Sequence, residues 1–160
     1  MKVTFDTNVA DRVDLVRVAI ARGFEVFVTS VTNRELLPSD IVPVTNELIL
    51  EVAVFDESSF GSAMLGSDRD AEIFESTLRI LSNGSFPRSG LRDKLSDGER
   101  RQLRDAMIFA AHVRQSHDVF VSDDERAFVR DGRQEKLEEI SNSKIMTSVE
   151  FIAEFGNEGA

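Results

Sequence analysis

The sequence predicts an α/β protein, a three-layer α/β/α sandwich around a mainly parallel sheet. Three observations predict it. Short β-prone runs alternate with stretches of helical periodicity along nearly the whole chain, and strands separated by helices pair in parallel through right-handed crossovers. The chain has 160 residues, 41% of them hydrophobic, enough for one compact domain expected to span 1–160. No internal repeat, low-complexity tract or Pro/Gly/Ser linker divides it.

Each element has its own signal. Lys2–Phe5 is a short β-prone run ending at Asp6. Val13, Val16 and Ile20 recur at helical spacing, and Gly23 reads as the helix stop. Phe24–Thr29 (FEVFVT) is a second strand. Thr32 to Glu35 has the T-x-x-E form of a capping box, opening a short helix that Pro38 closes. Leu48–Phe55 reads as another strand. Ser67 begins a helix with Ile73, Phe74, Thr77, Leu78 and Leu81 on its buried side, ending at Asn83-Gly84, and Ser85–Leu95 is a loop. Ser96-Asp97-Gly98-Glu99 is a second capping box, and its helix runs to about Ser116. Asp118–Ser122 (DVFVS) is a strand, Asp124–Glu139 is largely helical, Lys144–Thr147 (KIMT) is the last strand, and Val149–Phe155 is a closing helix.

Composition removes several function classes. With no cysteine, thiolate zinc sites, thiol nucleophiles and disulfide frameworks are excluded. The two histidines, His112 and His117, are too few for a His-rich metal site; His112 reads as a satisfied core histidine and His117 as a solvated one. Met1–Asp6 reads as a strand and not as a secretion signal, and the longest apolar run, Ala106–Ala111, is far short of a membrane span. The expected location is the cytoplasm, with no membrane partner. A net charge of −10 disfavours diffuse binding to nucleic acid. The deficit is uneven, because Arg88, Arg92, Lys94, Arg100, Arg101 and Arg104 give the stretch Arg88–Arg104 a charge of +3 against three acids. This stretch reads either as a solvated face or as the place where a polyanion is held, with Arg126, Arg130 and Arg133 as further candidates.

In an open parallel sheet, ligands bind at the carboxyl ends of the strands. Asp6 directly follows the first strand, Asp123-Asp124 follow DVFVS, and Glu35 lies one turn into the helix after the second strand. Asp105 sits inside the helix that feeds DVFVS, sharing a face with Ile108, Phe109 and His112. A carboxylate on an apolar helix face is costly unless a cation or donors meet it. Acids converging at one edge repel one another unless neutralised, and an oxygen-rich set suits Mg²⁺ or Mn²⁺. Such sites support hydrolysis of a phosphodiester. Ordinary readings stand beside this one. Asp6 and Asp124 would serve as helix caps, Glu35 as the partner of Thr32, and Asp105 as an ion-pair partner of an arginine.

Five segments in register resemble the PIN-domain ribonucleases. They are VTFDTNV (Val3–Val9), TSVTNREL (Thr29–Leu36), RDAMIFAAH (Arg104–His112), VFVSDDERAF (Val119–Phe128) and IMTSVEFI (Ile145–Ile152). The resemblance implies a PIN-like fold and a metal-dependent endoribonuclease using Mg²⁺ or Mn²⁺, of the kind found as the toxin of a toxin–antitoxin pair. The family's acids would fall on Asp6, Glu35, Asp105 and Asp124, with Asn8 and Ser122 in support. Phe128 follows Asp124 by four residues where three is more usual, which leaves Asp123 as the alternative ligand; Asp124 keeps the Ser-x-Asp spacing. The segment at about 55–95 is longer than in minimal members. The partners implied are an RNA substrate, an antitoxin protein and a second copy of the chain in a homodimer.

Two phosphotransfer folds compete poorly. A receiver domain wants its acidic pair early, whereas here the pair is late; a haloacid-dehalogenase-like phosphatase wants Asp-x-Asp, whereas Asp6-Thr7-Asn8 lacks the second Asp. The rival from another class is a catalytically silent PIN-fold module acting as an RNA- or protein-binding scaffold.

Overall fold

A computed structural model describes residues 1–29, 49–50, 68–130 and 132–156 of the chain. Its strands are β1 (Lys2–Phe5), β2 (Glu25–Thr29), β3 (Ile49–Leu50), β4 (Val119–Val121) and β5 (Lys144–Met146). Its helices are α1 (Val13–Ala21), α2 (Asp68–Leu81), α3 (Asp97–Arg114), α4 (Arg133–Ser141) and α5 (Ser148–Phe155). The strands form one sheet in the order β3-β2-β1-β4-β5, every pair parallel. From β1 the chain moves outward through β2 to β3, then returns to the other side of β1 as β4. The order therefore reverses between β1 and β4, and a parallel sheet opens a crevice at the carboxyl ends of such a pair.

Period-2 alternation splits the strand side chains between two cores. Val3, Phe5, Val119, Val121 and Met146 pack against Leu15, Val16 and Ala19 of α1 and Phe151 of α5. On the opposite face, Phe120 and Ile145 pack against Leu78 of α2, Ala106 and Phe109 of α3, and Leu137 of α4. The result is the expected three layers. Phe5 and Phe151 meet edge to face at 5.9 Å, and Phe109 and Phe120 at 5.3 Å. Each fully buried Phe contributes about 1.5–3 kcal/mol. No helix among the described residues is long and apolar enough to cross a membrane.

Local signals explain most boundaries. Ser96 accepts from the Glu99 amide and Glu99 reaches back to the Ser96 amide, so the expected capping box opens α3. Asn83 and Gly84, both at positive φ, close α2. A further capping box, Thr147 with Glu150, opens α5. Three expectations need correction. In α1 the buried residues are Leu15, Val16 and Ala19, while Val13 and Ile20 are about half exposed. The chain from Asp124 does not run as one helix to Glu139: a single turn closes at Phe128 and Val129 on the Asp124 carbonyl, and α4 starts only after Gly132 at φ 77°. His117 is buried, not solvated. The T-x-x-E box at Thr32–Glu35, its helix and most of the strand expected at Leu48–Phe55 lie outside the described residues.

Candidate functional site

The switch point between β1 and β4 carries the Asp-Thr-Asn and Ser-Asp-Asp segments side by side. Parallel pairing continues past both strands, since the Asp6 amide donates to Val121 O and the Ser122 amide to Met146 O. Asp6 is 3% exposed. Its Oδ1 accepts from the Thr7 amide at 2.8 Å, and its Oδ2 accepts from Ser122 Oγ at 2.7 Å and Asn8 Nδ2 at 3.1 Å. Ser122 Oγ also accepts from Asn8 Nδ2 at 3.2 Å and from the Asp124 amide at 3.1 Å. Asn8 Oδ1 closes the network on the Asp123 amide at 3.0 Å. A hydroxyl offers one donor and two acceptor sites, so Ser122 is fully committed and the carboxylate it serves is fixed in orientation. Asn8 and Ser122, expected as supporting groups, both hydrogen-bond to the Asp6 carboxylate.

The two acids after β4 divide their work. Asp123 turns toward α5, accepting from the Ser148 amide and Ser148 Oγ, both at 2.7 Å, with Arg12 Nη1 at 3.8 Å. It clasps β4 to the start of α5. Asp124 uses Oδ1 to accept from the Arg126 and Ala127 amides at 2.9 Å each, capping the turn that buried Phe128 anchors among Phe109 and Phe120. Among the described residues no hydrogen bond or ion pair engages Asp124 Oδ2. Of the two, Asp124 is therefore the acid with an oxygen to offer at this edge.

Asp105 is half-buried, not enclosed. Seven residues later on the same face of α3, His112 Nδ1 meets Thr4 Oγ1 of β1 at 2.9 Å. Seven residues of helix rise about 10 Å, and the two residues from Thr4 to Asp6 rise about 7 Å. α3 descends toward the start of β4, so Asp105 lies further toward the carboxyl edge than His112 does. Among the described residues no three His, Asp or Glu side chains gather closely enough to hold a metal ion. The convergence expected of Asp6, Glu35, Asp105 and Asp124 thus reduces to Asp6 and Asp124 linked through Ser122; Asp105 stays on α3 outside this network, and Glu35 lies outside the described residues. In kind the donors fit a hard cation, because the edge offers carboxylate, amide and hydroxyl oxygens. Both imidazoles are elsewhere.

The histidines belong to the sheet. Thr4 Oγ1 touches Nδ1 of His117 at 2.8 Å as well as that of His112, and His112 Nε2 meets Ser143 Oγ at 2.8 Å. One hydroxyl proton cannot serve two acceptors, so at least one imidazole donates to Thr4. Burial, helped by His117, pushes His112 down to about 3. Burial and Lys2 push His117 down to about 4, against Asp118 and Glu25. Both rings are neutral structural groups.

The basic stretch divides likewise. Arg88, Lys94, Arg100, Arg101 and Arg104 are exposed. Arg92 is a correction: its side chain is 5% exposed, paired through both Nη atoms with Glu75 at 2.8 Å, bonded through Nε to Pro87 O, and set over the Phe86 ring. A guanidinium so committed holds the loop and not a substrate. Arg133 is also inward, donating to the carbonyls of Arg126 and Ala127 and to Asn83 Oδ1. Burial and Arg130 lower its pKa while Asp124 opposes them. The clasp of Arg12, Asp123 and Ser148 and the Arg92–Glu75 pair were not foreseen, and no local spacing signals them. No family model, curated protein or solved structure matches the chain.

Proposed function

We propose that this chain is a metal-dependent endoribonuclease that hydrolyses RNA phosphodiester bonds at the carboxyl edge of its sheet. The observation that carries the reading is Asp6, a buried carboxylate at the switch point, locked by Thr7, Asn8 and Ser122. Burying a charge is costly, and helix capping alone asks for no such enclosure. Asp6 and Asp124 would hold Mg²⁺ or Mn²⁺, with Asp105 and Glu35 completing the set. When bound, the cation supplies charge neutralisation at the phosphate and a water of lowered pKa. Ser122 and Asn8 keep Asp6 from rotating, and Ser122 spaces the Asp124 backbone from it, so the donors need little reorganisation. As the toxin of a toxin–antitoxin pair, the chain would need an antitoxin protein to silence this edge.

End-labelled mixed RNA, incubated with Mn²⁺ or with EDTA, tests the reading. Wild-type protein cleaves only with metal, and Asp6→Asn, shown by circular dichroism to be folded, does not cleave. Cleavage by folded Asp6→Asn at the wild-type rate would refute it. A silent scaffold is the second reading, favoured by the lack of a three-donor group among the described residues; it gives RNA or protein binding with no cleavage in either condition.

A further inference from the structure

Beside the carboxyl edge, the end of α2 and the loop that follows enclose a cleft of about 260 Å³. Arg92 and the Glu75 that neutralises it both form part of its lining, and Phe86 and Pro87 give it an apolar wall. Arg79 and Arg88 also line it; both are exposed, and among the described residues neither guanidinium has a hydrogen-bond or ion-pair partner. Both therefore stand ready to meet an anion at this cleft, although the chain as a whole carries −10. The end of α2 does not oppose an anion strongly, because the carbonyls of Leu78, Arg79 and Ile80 already accept from the amides of Ser82, Gly84 and Asn83. A short chain of hydrogen bonds runs from Asn83, the residue beside the cleft in sequence, to the candidate site. Asn83 accepts from Arg133 Nη2 at 3.5 Å, and Arg133 Nη1 bonds the carbonyls of the turn capped by Asp124.

The geometry points to this cleft as a subsite for one nucleotide of single-stranded RNA, its phosphate on Arg79 and Arg88 and its base against Phe86 and Pro87. It rests on the RNA reading above and adds to it the strand's path away from Asp6. Guanidinium forks match phosphate oxygens, and cations beside an aromatic wall are how single strands are held without sequence readout. The cleft lies just below the usual size of small-molecule sites, so it takes one unit of a chain and not a larger ligand.

The test uses the full chain in EDTA with a short fluorescein-labelled single-stranded RNA, followed by anisotropy across a salt series. R79Q/R88Q weakens binding and lowers the slope of log affinity against log salt by about 0.7, the amount for the one phosphate that the variant no longer neutralises on a single strand. Its melting temperature stays that of wild type, because neither side chain has a partner to lose. F86L weakens binding with no change in slope. Wild-type affinity and slope in R79Q/R88Q, or no binding by wild type, would overturn the subsite. Arginine-dependent binding without cleavage in Mn²⁺ would sink the nuclease reading and leave the subsite standing. Cleavage with no arginine dependence of binding would do the reverse.

Discussion

The Thr4–His112–His117 network makes stability fall with acid well above the carboxylate range. Both imidazoles have folded pKa values below the ordinary 6.5, at about 3 and about 4. Below pH 6.5 the unfolded chain takes up two protons that the folded chain refuses. Their contribution is therefore complete above pH 6.5 and is lost progressively as pH falls toward 4 and then 3. One proton is worth about 1.4 kcal/mol per pH unit, so wild-type stability drops by up to about 2.7 kcal/mol per unit between pH 6 and pH 5. The rings lie 5.9 Å apart, so a first proton also opposes a second. The perturbation is His112→Gln, which keeps a polar side chain near Thr4 and Ser143 but cannot titrate. It is less stable at pH 7, and its slope is shallower by about 1.4 kcal/mol per unit, so the two stabilities draw together as pH falls. Urea unfolding at several pH values from 7.0 to 5.0 reads both slopes, and that window avoids most carboxylate titration. Identical slopes in the two proteins, or imidazole NMR signals of the folded protein titrating near 6.5, would refute the reasoning.

Two further predictions concern side chains whose roles the structure reassigns or sharpens. Ser122→Ala leaves buried Asp6 with one donor fewer and costs about 1–3 kcal/mol by chemical unfolding; a loss within 0.5 kcal/mol would mean that the network does not hold the carboxylate. Arg92→Met leaves Glu75 without its partner and Pro87 O without its donor, costing about 1–3 kcal/mol, whereas Arg88→Ala stays within about 0.5 kcal/mol. Equal stability of these two variants would return Arg92 to the solvated stretch in which its sequence position places it.

Features decided by neighbours along the chain were legible in the sequence. The strands fall where β-prone runs stand between turn signals, and α3 opens where Ser96 and Glu99 satisfy each other's amides. Asp6 was legible for a related reason: a strand end in a parallel sheet fixes where the next residue lies, whereas Asn8 and Ser122 were offered only by the resemblance to the PIN-domain ribonucleases. Features decided at a distance were not. His117 is buried because Thr4, 113 residues away, offers its hydroxyl, and nothing near His117 announces that. Arg92 finds Glu75 across a loop, 17 residues back and outside any helical spacing. Asp123 and Asp124 are identical in the sequence; only the start of α5, arriving with Ser148, separates the clasp from the cap. In α1 the spacing of Val13, Val16 and Ile20 was real, but Leu15 and Ala19 with Val16 define the stripe that faces the sheet.

Net charge and local charge point in opposite directions here, and screening decides between them. At physiological ionic strength charges more than about 8 Å apart across solvent hardly feel one another, so most of the −13 outside Arg88–Arg104 is invisible to a phosphate at the carboxyl edge. What such a phosphate meets is set by the nearest side chains. Arg101 and Arg104 lie within a turn or so of Asp105 on α3, and both are exposed. Arg79 and Arg88 flank the cleft that reaches the Asp124 turn through Asn83 and Arg133. The carboxylates sit lower: Asp6 is buried and Asp105 and Asp124 are half-buried. On the function proposed above, a chain of phosphates would rest on Arg79, Arg88 and Arg101 while only one of its units approached the acids. An acidic protein can thus bind a polyanion if its cations reach outward and the acids that face the ligand are recessed; Asp6, Asp105 and Asp124 are recessed, and exposed Asp123 is turned to Ser148.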